Sequence, residues 1–208
     1  MIEIRIHGRG GQGAVIAADI LATALVMEGK YAASFPFFGV ERRGAPVTAY
    51  VRFDTVPIRE RTRVYNPDII IIMDKALSAN PDCYDGLKSG STAIINSLNA
   101  HIDPAISRKL NFLAAVDATA IAYEETGKAI TNTCILGAFA KVTQVVSLEC
   151  LNQAITEFFN QKVLAMNLRL IERGYNEVNL QDLSIHQSLA NESIPQVIKS
   201  IRGDQSGN

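Results

Sequence analysis

Alternation of apolar and polar side chains in the first third of the chain predicts two β-strands. Residues 2–7 alternate and so do residues 47–53, which is the period of a strand with one buried face. Residues 69–73 are apolar at every position before Asp74, a pattern typical of a strand inside a parallel sheet that is covered on both faces. Two shorter apolar runs, residues 93–95 and 112–116, predict further strands.

Helical segments are expected between and after these strands. Residues 14–28 are apolar at almost every position and precede Gly29, so we expect a largely buried helix that ends at this glycine. Asn132 and Thr133 are suited to cap a helix over residues 135–146. A longer helix is expected over residues 148–172, ending at Gly174. Residues 35–39, Phe-Pro-Phe-Phe-Gly, are not expected to be regular throughout.

The order of these elements indicates the fold class. Strands that alternate with helices predict an α/β protein, and we expect a three-layer α/β/α sandwich with a mainly parallel or mixed, Rossmann-like sheet. We expect one domain over residues 1–175. Residues 176–208 are polar with isolated apolar positions and are expected to be a C-terminal extension, either a frayed tail or an arm that packs on a partner subunit.

Charge narrows the choice of partners. The 208 residues carry a formal net charge of -1, so no overall field attracts nucleic acid or an anionic membrane, and neither is expected as a partner. The charge is uneven, because residues 1–65 hold nine basic and six acidic residues while residues 66–208 hold eleven and fifteen. The first third is therefore the better place for an anion, unless the difference is ordinary surface variation.

Several classes of site are missing from the sequence. The first residues alternate and form no apolar block, so no signal peptide is expected, and no apolar run is long enough to cross a bilayer. The three scattered cysteines favour a reducing cytoplasm. No Cys-x-x-Cys pair, metal-type histidine spacing, phosphate-loop motif or nucleophile elbow occurs, so we assign no catalytic residue and no metal ligand.

A glycine-rich turn between the first strand and the first helix is the strongest local signal. Glycine permits positive φ and close approach of a ligand, and the free N–H groups of a helix N-terminus favour an anion. The alternative is that these glycines only permit helix–sheet packing. A nicotinamide dinucleotide would also need an acidic residue after the second strand, and neither Glu41 nor Asp54 has a convincing spacing. The candidate binding residues of the turn are Gly8, Gly10, Gly11, Gln12 and Gly13.

A charged loop after residues 35–39 supplies the second candidate site. Its candidate binding residues are Glu41, Arg42, Arg43 and Gly44. Arginine pairs planar anions through two hydrogen bonds, and the carboxylate can orient one guanidinium while the other reaches outward. The aromatic residues before the loop favour a ligand or subunit contact. The alternative is a surface salt bridge of little energetic value.

Five further polar residues allow two interpretations each. Asp74 and Asp117 follow buried strands, where open α/β sheets bind ligands, although either residue can instead cap a loop. Arg59, Arg61 and Arg63 would share one face of an extended segment. That face would contact phosphates or an acidic partner, or it would be a solvated edge strand. Gln12 can likewise hold a ligand or bond its own neighbouring loop.

Taken together, these segments resemble the γ subunit, or γ domain, of pyruvate and related 2-oxoacid:ferredoxin (or flavodoxin) oxidoreductases. The matching segments are residues 6–13, 35–47, 66–68 with the strand that follows, 132–138 and 173–175. They occur in the order found in the family and cover residues 1–175, which makes the resemblance specific. Residues 176–208 match no part of it.

The resemblance implies a reversible reaction in which a 2-oxoacid, CoA and oxidised ferredoxin give acyl-CoA, CO2 and reduced ferredoxin. In such complexes thiamine diphosphate with Mg2+ forms the carbanion and [4Fe-4S] clusters carry the electrons. This chain has no Gly-Asp-Gly segment followed by Asn, so these cofactors are expected on α, β and δ partner subunits, with none bound by this chain alone. The γ part is associated with assembly and CoA, which implies residues 8–13 and 41–44 as contacts.

Other identities remain open at this stage. The segment Phe-Gly-Val-Glu-Arg-Arg-Gly-Ala-Pro at residues 38–46 looks most similar to pyruvate and branched-chain 2-oxoacid members. The first alternative is a γ-type subunit of an aryl 2-oxoacid oxidoreductase that acts on indolepyruvate or phenylglyoxylate. The others are a stand-alone nucleotide-binding enzyme and a purely structural assembly subunit without ligand contact.

Overall fold

One mixed β-sheet runs through the computed structural model, which describes residues 1–37, 44–99 and 102–184. Its strands are β1 Ile2–Arg9, β2 Tyr31–Phe37, β3 Pro46–Asp54, β4 Ile69–Ile72, β5 Ser91–Asn96, β6 Leu110–Val116 and β7 Asn179–Asp182. Across the sheet they follow the order β2-β3-β1-β4-β5-β6-β7. The central strands β1, β4, β5 and β6 are parallel, β3 and β7 run antiparallel to this centre, and β2 pairs antiparallel with β3.

Helices cover the two faces of the sheet unequally. The α-helices are α1 Ala14–Met27, α2 Pro104–Ser107, α3 Ala118–Thr126, α4 Asn132–Thr143, α5 Leu148–Ile155 and α6 Gln161–Glu177. One face, called here the helical face, packs the main core against α1 and α3 to α6. The other, called the thin face, has a smaller core under two 3₁₀ helices, Lys75–Ala79 and Pro81–Tyr84, and under α2.

The alternation in the sequence explains which residues point to each face. Ile2, Ile4 and Ile6 of β1 join the main core, while the alternate positions Arg5 and His7 are buried toward the thin face. All four residues of β4 are buried, as expected for a parallel strand covered on both sides. The expected α/β class with a mainly parallel centre is confirmed, and so are the strands expected in β1, β3, β4, β5 and β6 and the buried helix α1.

The irregular segment expected at residues 35–39 is wrong for its first three residues. Phe35, Pro36 and Phe37 end strand β2, which pairs antiparallel with β3. Proline is tolerated here because β2 is the outermost strand on its side, and within sheets proline is confined to edge strands, strand starts and bulges. Residues 38–43, including Glu41, Arg42 and Arg43, lie outside the described residues.

The expected long helix over residues 148–172 is in fact two helices. α5 ends at Ile155, and α6 begins after Asn160, whose side chain accepts a hydrogen bond from the Lys162 amide at 3.1 Å. A side-chain cap of this kind starts a new helix without a glycine or proline to mark the break. Gly174 also does not end the helix, because α6 continues to Glu177. The glycine serves instead as a point of close approach, with its Cα against Cys134 of α4.

The sheet extends past the end expected for the domain at residue 175. β7, Asn179–Asp182, pairs antiparallel with β6, so these residues of the expected extension belong to the fold. Residues 185–208 lie outside the described part of the chain. Residues 59–64, where Arg59, Arg61 and Arg63 were considered to lie on an edge strand, form no strand. No helix among the described residues is long and apolar enough to span a membrane.

Candidate functional site

The glycine turn lies at the carboxyl end of β1 and leads directly into α1. Gly13 is the N-cap of α1, with φ of 79°, and Gly11 has φ of 97°, a left-handed conformation that other residues adopt only at a cost. The first intrahelical bond joins the Ala17 amide to the Gly13 carbonyl. The amides of residues 14–16 therefore precede the helical ladder, and no side chain caps them. This is the geometry of an anion-binding helix N-terminus.

Gln12 folds back to hold the turn in shape. Its Oε1 accepts a hydrogen bond from the Arg9 amide at 2.8 Å, and its Nε2 donates to Asp74 Oδ2 at 2.7 Å. Asp74 also accepts from the Ala76 amide at 3.0 Å and lies 3.3 Å from Arg9 Nε. Both polar ends of Gln12 are thus used internally. Of its two interpretations, the contact with neighbouring loops is the one that the structure contains, and Asp74 caps the following 3₁₀ helix.

Gly44 is brought to the same place as the turn. Its amide donates to the Gly10 carbonyl at 3.2 Å, and Arg9 Nη1 donates to the Gly44 carbonyl at 3.1 Å. The Gly10 amide in turn donates to the Ala45 carbonyl at 2.9 Å. The glycine turn and the end of the charged loop therefore form one continuous backbone surface. Residues 41–43 of the charged loop are not among the described residues.

A second helix N-terminus meets the first at Gly13. A Cβ added to Gly13 would lie only 2.7 Å from Asn132 Nδ2, which places the first turn of α4 against the start of α1. Thr131, the N-cap of α4, makes no side-chain cap bond, and its Oγ1 is buried without a partner among the described residues. Asn132 and Thr133, expected as caps, lie inside the first turn, and Thr133 Oγ1 donates to Asn167 of α6 at 2.9 Å.

Asp117 and Asp54 are occupied by structural contacts. Asp117 caps α3 by accepting from the Ala120 amide at 3.0 Å. Asp54 pairs with the amino group of Met1 at 2.6 Å, at the end of the sheet opposite the glycine turn. Asp54 therefore does not lie near the turn and does not provide an acidic residue that could hold a ribose there.

His7 is buried beside the site, on the thin face. Its Nε2 accepts a hydrogen bond from Arg5 Nε at 3.0 Å. Burial, together with the smaller effect of the charges of Arg5 and Arg63, lowers the pKa of His7 to about 3. The imidazole is therefore neutral at physiological pH and is not poised as a general base there.

None of the described thiols is poised as a nucleophile. Burial raises the pKa of Cys134 to about 12 and that of Cys83 to about 11, whereas a reactive cysteine needs a lowered pKa. Among residues 1–37, 44–99 and 102–184, no three histidine, cysteine or acidic side chains are grouped closely enough to hold a metal ion. These residues do not fit an iron–sulfur cluster, which needs several thiolates close together.

Two residues of the site were missed by sequence reasoning. Arg9 supplies a half-exposed guanidinium at the turn, and its signal was its position between Gly8 and Gly10 at the end of a strand. Thr131 places an unpartnered hydroxyl at the second helix N-terminus, and no local pattern marks it. The structure therefore unites Gly8, Gly10, Gly11, Gln12, Gly13 and Gly44 with Arg9 and the start of α4.

Comparison with known proteins adds an independent line of support. The family described as pyruvate ferredoxin/flavodoxin oxidoreductase matches residues 3–177. A relative from Thermococcus kodakarensis, named as the common subunit gamma of pyruvate/ketoisovalerate oxidoreductases, is 49% identical over 185 residues, which is 88% of this chain and 100% of that protein.

Two further matches agree with this one. The gamma subunit of an NADH-dependent phenylglyoxylate dehydrogenase from Aromatoleum evansii is 45% identical over 179 residues, covering 86% of this chain and 94% of that protein. The crystal structure of the pyruvate oxidoreductase subunit PORC from Thermotoga maritima superposes with a TM-score of 0.73 at 36% identity, covering 87% of this chain and 98% of the other.

Proposed function

This chain belongs to the pyruvate ferredoxin/flavodoxin oxidoreductase family as a gamma-type subunit of a multi-subunit enzyme, and from that premise we propose that its glycine turn forms part of the wall that holds CoA. The observation that carries the proposal is the meeting of two helix N-termini without side-chain caps, those of α1 and α4, at Gly13. The N–H groups and positive dipole end of a helix N-terminus favour an anion, and here two such ends lie next to each other. CoA carries several phosphate groups that such a place would stabilise.

The neighbouring arginines support this assignment. Arg9 lies in the turn with its side chain 36% exposed, and Arg42 and Arg43 immediately precede Gly44 in the sequence. Guanidinium groups bind phosphate oxygens through paired hydrogen bonds. In this scheme the backbone amides bind the phosphates of CoA and the arginines neutralise the negative charge of those phosphates. Gln12 positions the turn through its hydrogen bond to Asp74.

We propose pyruvate or a branched-chain 2-oxoacid as the substrate of the complex. The relatives named for pyruvate and ketoisovalerate support this choice. Thiamine diphosphate, Mg2+ and [4Fe-4S] clusters are proposed on α, β and δ companion subunits, with ferredoxin or flavodoxin as electron acceptor. The three cysteines are free thiols, which supports a reducing, cytoplasmic location.

Kinetics of the assembled complex test the CoA assignment. We expect Arg9→Gln and Arg42→Gln each to raise the KM for CoA about tenfold or more, because a charge-assisted hydrogen bond contributes roughly 1.5–3 kcal/mol. The KM for the 2-oxoacid should stay unchanged, since that site is assigned to other subunits. Steady-state rates of the reconstituted complex at varied CoA give both values.

A charge-matched control separates local from general effects. Lys162 is an exposed residue at the start of α6 on the helical face, and Lys162→Gln should leave the KM for CoA as in the wild type. A normal KM for CoA in both arginine variants would reject CoA contact and favour a purely structural subunit.

One observation favours a second substrate class. The 45% identity to a phenylglyoxylate dehydrogenase subunit supports an aryl 2-oxoacid as the alternative. Turnover of the complex with pyruvate, 2-oxoisovalerate, phenylglyoxylate and indolepyruvate distinguishes the two. We expect higher kcat/KM for the aliphatic acids, and a preference for the aryl acids would replace our first choice.

A further inference from the structure

A basic, exposed segment lies beside the thin face, apart from the glycine turn and its neighbouring residues. Residues 57–65 contain three arginines and one glutamate, and residues 59–63 are all exposed. No carboxylate among the described residues lies within ion-pair distance of Arg59, Arg61 or Arg63, whereas other arginines of the chain are paired. We call residues 57–65 the basic segment. Its local net charge is +2, and no ion pair among the described residues neutralises its arginines.

The basic segment is held in place although it is exposed. Arg52, only 2% exposed, donates from Nη1 to the Thr62 carbonyl at 2.6 Å and from Nη2 to the Arg63 carbonyl at 3.4 Å. The Nε of Arg52 pairs with Glu3 of β1 at 2.9 Å, which fixes the guanidinium from behind. Val64 is fully buried and anchors the end of the segment. The buried guanidinium of Arg52 thus holds the backbone of the exposed basic segment in place. Binding a partner would therefore require little further ordering of this segment.

Arg63 is prearranged between two exposed aromatic rings. Its guanidinium carbon lies 4.7 Å from the centroid of the Phe37 ring and 5.7 Å from that of Tyr65. Phe37 is 43% and Tyr65 67% exposed, so both rings keep apolar surface in contact with water. Arginine and tyrosine are among the residues that contribute most binding energy in protein interfaces, where they are surrounded by contacts that exclude water.

We propose that the basic segment, together with Phe37 and Tyr65, docks an acidic segment of a companion subunit of the oxidoreductase. This inference rests on the proposed role as a subunit of a multi-subunit enzyme. The arrangement of charge favours a polypeptide over a phosphate, because the three arginines alternate with other residues over positions 59–63 and Arg63 lies against two aromatic rings. The flanking rings also match apolar side chains of a protein partner, which a phosphate lacks.

Binding between separately produced subunits tests the inference. The full-length chain is titrated against the companion subunits co-produced without it, at low and high salt. We expect Arg63→Gln to raise the dissociation constant about tenfold or more. The dissociation constant of Arg63→Lys should lie between those of the wild type and Arg63→Gln, because lysine keeps the charge but not the planar group that stacks on aromatic rings. The triple change of Arg59, Arg61 and Arg63 to Gln should also reduce the salt dependence of binding.

Matched controls show whether the effect is local. Lys162→Gln removes one exposed positive charge from the helical face, and it should bind like the wild type. Tyr65→Ala should weaken binding, whereas Tyr123→Ala, which removes another exposed tyrosine on α3, should not. Unfolding curves of each variant confirm that the basic segment variants remain folded.

The outcomes distinguish this inference from the CoA assignment. If Arg63→Gln binds the companions normally, or if Lys162→Gln weakens binding equally, the docking surface is rejected while the CoA assignment stands. If Arg63→Gln instead raises the KM for CoA with normal binding, the segment contacts a small anion and the inference is likewise rejected. Failure of the wild-type chain to bind any companion would overturn both.

Discussion

Buried arginines organise the thin face at the level of single residues. Arg5, 7% exposed, donates to the carbonyls of Cys83 and Asp85 at 3.1 and 2.6 Å and to His7. Burial lowers the pKa of Arg5, yet arginine remains charged because its ordinary pKa is so high. Carbonyl oxygens therefore replace the water that the cation loses. The same hydrogen bonds from Arg5 join the loop at residues 83–85 to β1.

His7 should make stability depend on pH. Its folded pKa of about 3 lies below the ordinary value of about 6.5 expected when unfolded, so the unfolded chain binds the extra proton between these values. The stabilisation from neutral His7 is complete above pH 6.5 and is lost as the pH falls toward 3. The His7 contribution should fall by about 2 kcal/mol between pH 6.5 and pH 5.

Urea unfolding at several pH values measures this effect. His7→Gln replaces the imidazole nitrogen that accepts from Arg5 with an amide oxygen that can also accept, but it has no group that titrates in this range. The variant should show a shallower fall in unfolding free energy below pH 6.5, with other groups supplying the remainder. An equal pH dependence in the wild type and the variant would contradict a buried, neutral histidine.

At the level of elements, sequence patterns found the strands whose side chains alternate or are uniformly apolar. They missed β2, because Pro36 argues against a strand unless the strand is known to lie at an edge, and position in the sheet is a tertiary property. They also missed the break before α6, which only the Asn160 cap marks. In the site, residues 8–13 were locally visible, whereas the contacts of Gly13 with Asn132 and of Arg9 with Gly44 join distant segments.

The packing of α4 on α6 gives a test at this scale. A Cβ on Gly137 of α4 would overlap the Ile171 carbonyl oxygen of α6, and one on Gly174 would overlap the Cys134 carbonyl oxygen of α4. Helix propensity alone favours alanine by about 1 kcal/mol. We expect the steric effect to win, so that Gly137→Ala and Gly174→Ala each destabilise the chain by about 1–3 kcal/mol or more.

Chemical denaturation of the full chain measures the sign as well as the size of the change. Asn176→Ala, an exposed position in the same helix α6, serves as the control and should change stability by less than about 0.5 kcal/mol. Stabilisation by alanine at Gly137 would mean that the two helices are not in close contact there.

At the scale of the whole molecule, the candidate binding groups gather at one end of the sheet. The glycine turn, the α4 N-terminus and Gly44 lie where the parallel strands end, the usual place for a site in open α/β sheets. The described residues contribute amides, a hydroxyl and a guanidinium there, and the carboxylate of Asp74 is already bonded to Gln12 and to the Ala76 amide. They include no activated nucleophile. This composition is suited to holding a substrate whose chemistry takes place on another subunit.

The purified full chain should therefore not oxidise pyruvate or another 2-oxoacid with CoA and ferredoxin. Activity should appear only when the companion subunits are added, and it should rise with their concentration until the complex is saturated. Spectroscopic assay of ferredoxin or viologen reduction, with and without companions, measures this. Turnover by the chain alone would overturn its assignment as a dependent subunit.

The edge strands also bear on the life of the chain before assembly. Pro36 in β2 has no N–H group, and β7 at the opposite edge of the sheet is only four residues long, with every residue exposed. Edge strands that are short or contain proline resist β-sheet pairing between molecules. A newly made copy can thus wait for its companions without polymerising through its sheet, so a shortage of partners should leave dispersed chains in place of aggregates.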